Sequence, residues 1–320
     1  MASDGRVVGL TFGAGNDIYY ASSTDFGRSF SKPVKVGTKG FLSLGRHRGP
    51  RIAIQSGHVV VSAIAGAKGR GADGDLWAWR SKDEEEGWQG PVRINDVEGS
   101  AREGLHGMAA GYGVVAAVWL DLRQKGTRLY SSVSRDGGKT WGKNTLVYES
   151  PDGHICECCH PSVAVGDGGT VYVMFRNALG GSRDMYLSVS RDGGKSFATE
   201  KLGHGTWKLN ACPMDGGGLV AAGGGAQTVW RRESSIFVAR PGEKEMELGP
   251  GKDASIATGL DKTDYAIWVW QGAVMLRSSR DEAAKVLAEK GDYPQLIMTG
   301  KGGLLAAWEQ ENGIVVQPVH

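Results

Sequence analysis

The chain is 320 residues long, carries a net charge of +2, is 40% hydrophobic, and holds 51 glycines against 10 prolines. So balanced a charge excludes bulk attraction to nucleic acid or an anionic membrane. Its longest apolar run, about eight residues at 113–120, falls far short of the roughly 20 that span a bilayer as a helix.

Glycine in this excess without a collagen period, beside ten tryptophans, points to many tight turns with large side chains packed between sheets. In chain order, residues 6–36 read as strands B, C and D of a four-stranded unit, with the turn Ser-Thr-Asp-Phe-Gly-Arg-Ser-Phe at 23–30 joining C to D. Full units follow from about 50, 105, 160, 212 and 254, and strands A, B and C end the chain at 293–318. The turn returns worn at 81–88, where Ser81, Asp83 and Trp88 survive. It is complete at 134–141 (Ser-Arg-Asp-Gly-Gly-Lys-Thr-Trp) and at 190–197 (Ser-Arg-Asp-Gly-Gly-Lys-Ser-Phe), and a remnant begins at Ser279. The unit from 212 has lost it, near Arg240 and Glu243. Spacings of 58, 53 and 56 between the first four copies give the period of a propeller blade. In each turn Asp accepts backbone hydrogen bonds, Gly takes positive φ and the aromatic anchors the hairpin.

This turn resembles the Asp-box, or BNR, repeat of sialidases and related propellers, and the repeating strands extend the likeness over nearly the whole chain. The resemblance implies an all-β propeller of four-stranded antiparallel blades spanning 1–320 as one domain, its ring closed by the N- and C-terminal strands. Five full units and two partial ones favour seven blades; six follow if the partial units merge. The Asp-boxes lie on one face as fold markers. The D-to-A and B-to-C connections share the other face, where binding groups are expected.

Along the D-to-A connections come Arg46, His47 and Arg48, then Arg102, Glu103 and His106. The run His154-Ile-Cys156-Glu-Cys158-Cys159-His160 follows, then His204, Trp207 and Cys212. The B-to-C connections hold Asp121 and Arg123, Arg176 and Asn177, Arg183 and Asp184, and Arg231, Arg232 and Glu233. A ligand-binding set of Arg48, Arg102, His106, Arg123, Arg176, Arg183, Trp207 and Arg231 is expected. Any single arginine here equally suits a solvated loop tip paired to an acid.

The cysteines are clustered as local chemistry requires, three within four residues and the fourth one blade on. Thiolate and imidazole suit copper or zinc, which makes Cys156, Cys158, Cys159 and Cys212, with His160 or His154, a candidate metal set. A disulfide from Cys212 to the triplet is an equal alternative, and then no cofactor is implied.

The sialidase resemblance implies further roles. Arginines grip a substrate carboxylate bidentately, with Arg176, Arg231 and Arg123 as candidates. Arg48-Gly-Pro50 resembles the family's Arg-x-Pro motif. Tyr293 resembles the nucleophile, Glu103 or Glu233 its base, and Asp121 the acid. The Cys/His loop has no part in that mechanism.

The expected function is an exported, periplasmic or secreted, sialidase-like propeller that acts as a monomer, with a signal peptide absent from this sequence. Its loop face takes a small molecule, glycan or metal. One alternative is a glycoside hydrolase of exo-sialidase type acting on an acidic sugar. The other is a non-catalytic glycan- or protein-binding platform with a disulfide-clamped loop.

Overall fold

A computed structural model describes residues 1–69, 71–82, 87–311 and 313–319. Seven antiparallel sheets follow one another along the chain. Their inner strands are Ala2–Ser3, Arg51–Gln55, His106–Gly111, Ser162–Gly166, Gly218–Ala222, Lys252–Thr258 and Asp292–Met298. Each of these packs against the inner strands before and after it. Ala2–Ser3 meets both Arg51–Gln55 and Asp292–Met298, so the protein is a seven-bladed propeller. The N-terminal unit, expected to lack an A strand, has this two-residue one. The Met1 amine donates to Gln295 Oε1 at 2.8 Å. Blade 7 has three strands, ending in Gly313–Val319, while blade 2 gains an extra short strand, Phe41–Leu42, on its second strand His58–Gly66. Among the described residues no helix is long and apolar enough to cross a membrane.

Apolar clusters between neighbouring blades hold the ring. Val60 and Leu76 of blade 2 pack with Trp119 of blade 3, which is fully buried. Leu120 and Leu129 of blade 3 meet Val173 and Phe175 of blade 4. Truncating such an aromatic typically costs about 3–5 kcal/mol, because a cavity adds to the lost transfer free energy.

The Asp-boxes explain themselves in atoms. Asp25 Oδ1 accepts from the amides of Arg28 and Ser29 at 3.0 and 2.9 Å, and its Oδ2 takes the Ser29 hydroxyl at 2.6 Å. Asp136 and Asp192 repeat the scheme with Thr140 and Ser196. These bonds hold the three carboxyls below the usual carboxylate range; for Asp136 burial opposes them and the result is about 2. Each box also docks on the blade before it. A Cβ on Gly138 or Gly194 would stand 2.8 or 2.7 Å from Val60 or Val133, and one on Gly27 would stand 2.5 Å from Leu305 of blade 7. The first box therefore helps close the ring. Asp83 of the worn copy lies outside the described residues.

Candidate functional site

Two adjacent blades carry the same irregularity at the top of the inner strand. Register breaks between Lys252 and Ser255, and again between Asp292 and Gln295. Asp253 and Tyr293 occupy equivalent slots in these bulges, at φ +57° and +51°. A bulge of this kind re-aims a side chain out of the sheet's alternation. Here both turn toward one partner. His47, from the loop ahead of blade 2, places Nε2 2.7 Å from Asp253 Oδ1. Its ring lies 5.2 Å from that of Tyr293, edge to face, and stacks at 4.2 Å on His160 from blade 4. Side chains from blades 2, 4, 6 and 7 thus converge.

The surroundings hold this centre in place. Arg51 donates to the carbonyls of His47 at 2.6 Å and Pro50 at 3.2 Å, which fixes His47 in its left-handed conformation at φ +55°. The Tyr293 hydroxyl acts on Arg46, whose guanidinium is held more firmly protonated by it. Asp215 Oδ2 accepts the Asp253 amide at 2.9 Å. Burial works against ionisation of Asp253, yet His47, Lys252 and Arg46 together bring it below the ordinary carboxylate range. Burial, with the charges of His47 and Arg51, pushes His160 well below the usual histidine value, so its ring is neutral. Glu309, the cross-strand neighbour of Asp292, is pushed upward by partial desolvation and by Asp292, against a smaller pull from His47. Three buried polar atoms at this centre, Asp215 Oδ1, His160 Nδ1 and Asp253 Oδ2, have no hydrogen-bond partner among the described residues.

The cysteine loop lies beside it. Cys158 is bonded to Cys212, which ties the loop ahead of blade 4 to the loop ahead of blade 5. Cys156 and Cys159 are buried thiols with sulfurs 3.4 Å apart. Of the four cysteines expected to hold a metal or to form a disulfide, Cys158 and Cys212 are bonded to each other, as the disulfide alternative has it. The histidines separate as well, His160 joining the axial cluster while His154 turns back to the Asp152 carbonyl at 3.3 Å.

Residues 72–213 match the family model described as BNR repeat-like domain. Among solved structures, a Hadza microbial sialidase superposes with a TM-score of 0.54 at 13% identity, covering 93% of this chain and 72% of that one. A mutant of Trypanosoma rangeli sialidase displaying trans-sialidase activity gives 0.54 at 14%, covering 88% and 55%. Penicillium chrysogenum alpha-L-arabinanase, complexed with arabinobiose, gives 0.52 at 14%, covering 86% of each chain. No curated protein sequence matches. The chain is a seven-bladed β-propeller whose residues 72–213 are BNR repeat-like.

On this propeller most of the expected arginines bond to the scaffold. Arg176 is 1% exposed, and its guanidinium donates to the carbonyls of Asp215, Arg183 and Arg231 at 3.0, 2.6 and 2.8 Å. Trp207 is packed near the guanidinium groups of Arg176 and Arg231, and Arg231 donates to the Glu233 carbonyl at 2.6 Å. Arg123 is spent on Asp121, Asp96 and Asn144, and Arg183 reaches the carbonyls of Ser182 and Ala211. Arg48 binds the Glu103 carbonyl and stands 3.6 Å from its carboxylate. Arg102 is exposed and outside the cluster.

Asp121, expected as an acid, is 1% exposed, and both its oxygens are taken by Ser100, Trp119 and Arg123. His106 is a core residue bonded to Ser62 at 3.0 Å, and burial holds it well below the usual histidine range. Of the expected catalytic trio, Tyr293 alone reaches the axial cluster.

The sequence reading passed over Asp253, Asp215 and Glu309, and noted Arg46 and His47 only as loop charge. The slot shared by Tyr293 and Asp253, two residues ahead of the regular inner strand, is the signal that finds the first of these.

Proposed function

We propose that the axial cluster is the active site of a glycoside hydrolase acting on a sugar that carries a carboxylate. The observation that carries this reading is the convergence of Tyr293, Arg46, His47 and Asp253 at one point of the loop face. Tyr293 is the nucleophile toward the anomeric carbon; its phenol proton passes to solvent, and Arg46 stabilises the phenolate oxygen that attacks. Glu309, its carboxyl raised toward the protonated form, donates a proton to the departing oxygen. His47 and Asp253 hold the Tyr293 ring in place. The named sialidases and arabinanase of similar fold support the reaction class by analogy.

Export fits a chain with a cross-loop disulfide, because such bonds persist in oxidising compartments. Copper or zinc held by all four cysteines would require that bond to be reduced, and the hydrolase reading needs no metal.

Turnover of aryl glycosides, compared across a sialoside, a uronide and an arabinofuranoside, tests the proposal. Hydrolysis of an acidic glycoside that Tyr293→Phe abolishes supports it. Binding of acidic glycans without any turnover favours a second reading, a non-catalytic glycan-binding platform. That reading draws on the engagement of Arg123 and Arg176 in scaffold bonds, which leaves Arg46 without a three-arginine clamp.

A further inference from the structure

Three sulfurs of one loop crowd together in the fold. Cys156 Sγ lies 3.7 Å from Cys158 Sγ and 3.4 Å from Cys159 Sγ, and Cys158 to Cys159 is 4.0 Å. Only Cys158 is already bonded, to Cys212 on the neighbouring loop. A thiolate beside a disulfide sulfur is the arrangement from which exchange proceeds.

We infer that the four cysteines form a thiol–disulfide exchange site that moves the link from Cys158–Cys212 to Cys156–Cys159. In the first step the Cys156 thiolate attacks Cys158 Sγ, the Cys156–Cys158 bond forms, and the Cys158–Cys212 bond breaks to leave Cys212 as a thiolate. In the second step Cys159, having lost its proton to solvent or to Cys212, attacks Cys156 Sγ and expels Cys158 as a thiolate. One disulfide and two thiols stand at the start and at the end, so no outside oxidant or reductant is consumed. The hydrogen bond from Cys159, helped by the charges of Arg176 and Arg183 and opposed by burial, brings Cys156 down to about 7 and favours the thiolate.

The consequence is structural. Cys212 stands three residues ahead of Asp215, whose carboxylate accepts the Asp253 amide. Moving the link frees the loop ahead of blade 5 from the loop ahead of blade 4, and with it a support of the axial cluster. The exchange does not depend on the hydrolase reading, and the chemistry it accepts from outside is that of small thiols and disulfides.

Peptide mapping of the intact protein reads it directly. The chain is incubated on either side of neutral pH with a trace of glutathione, quenched with acid and alkylated while unfolded. Trypsin then releases 144–176, holding Cys156, Cys158 and Cys159, and 209–231, holding Cys212. The starting isomer yields the two peptides cross-linked. The exchanged isomer yields them apart, with an internal disulfide in 144–176 and an alkylated Cys212. The expected result is growth of the separated form at the higher pH, and its absence in Cys156→Ser. Cross-linked peptides alone in the wild type under every condition overturn the inference, as do four free thiols. Separated peptides with the internal disulfide in Cys156→Ser overturn Cys156 as the attacking group. The wild-type map stands whether or not that variant folds.

Discussion

His47 and Asp253 are 206 residues apart in sequence, yet their side chains meet at 2.7 Å, and the Asp253 carboxylate is almost wholly buried. The pair links the loop ahead of blade 2 to blade 6 and braces the ring from within. The Asp253 carboxylate is buried against His47 Nε2, so removing it leaves a buried ring nitrogen without its partner. Asp253→Ala is therefore expected to lower stability by about 1–3 kcal/mol, measured by urea denaturation. Asp253→Asn, which tolerates the left-handed backbone at this position, is expected to cost less.

The same pair sets a pH dependence. The folded-state carboxyl of Asp253 lies below its ordinary value, so its contribution to stability is present above the unfolded-state range and is lost as pH falls through the folded value. The melting temperature is expected to drop in acid more steeply for the wild type than for Asp253→Asn. Parallel curves for the two proteins would remove Asp253 as a source of acid sensitivity.

Tyr293→Phe keeps the ring that His47 packs against and removes only the hydroxyl that acts on Arg46. Stability is expected to change by less than about 1 kcal/mol, while kcat on an acidic aryl glycoside falls at least about 100-fold. An unchanged kcat would remove Tyr293 as the nucleophile.

In the proposed reaction Glu309 acts in its protonated form, and its carboxyl is raised by partial burial and by Asp292. Activity is expected to decline as pH rises through its value, and Glu309→Gln should remove that limb along with most of kcat on substrates with poor leaving groups. A wild-type pH profile retained in Glu309→Gln would assign the proton donor elsewhere.

Arg176 and Gly27 test the scaffold. Three backbone carbonyls take the guanidinium of Arg176, so Arg176→Lys, with a point charge in place of a planar fork, is expected to cost about 2–3 kcal/mol as carbonyls lose their donor. Gly27→Ala adds a Cβ 2.5 Å from Leu305 at φ +87°, and about 1–3 kcal/mol is expected from overpacking and strain. Gly15→Ala, also at positive φ but with open space around it, isolates the backbone share of that cost.

The repeat made the fold readable because each Asp-box is closed by bonds within a few residues, so its atoms are specified where its letters stand. The slot of Tyr293 was legible for a related reason: it recurs from blade to blade. The partners of Arg176 were not legible, because an arginine at a strand end carries the same letters whether it faces a ligand or three carbonyls. Nor does the local sequence around His106 show that Ser62 would meet it in the core.

The local sequence determined the blade, its turns and the face on which chemistry-bearing loops gather, since hydrogen bonds a few residues long and alternating burial need no distant partner. Only the tertiary structure decided which groups meet. The two bulges turn Asp253 and Tyr293 toward the loop of His47, and the approach of adjacent loops pairs Cys212 with Cys158 while Cys156 and Cys159 remain thiols. These contacts join residues brought together by closure of the ring, and their geometry exists only once all seven inner strands stand around one axis.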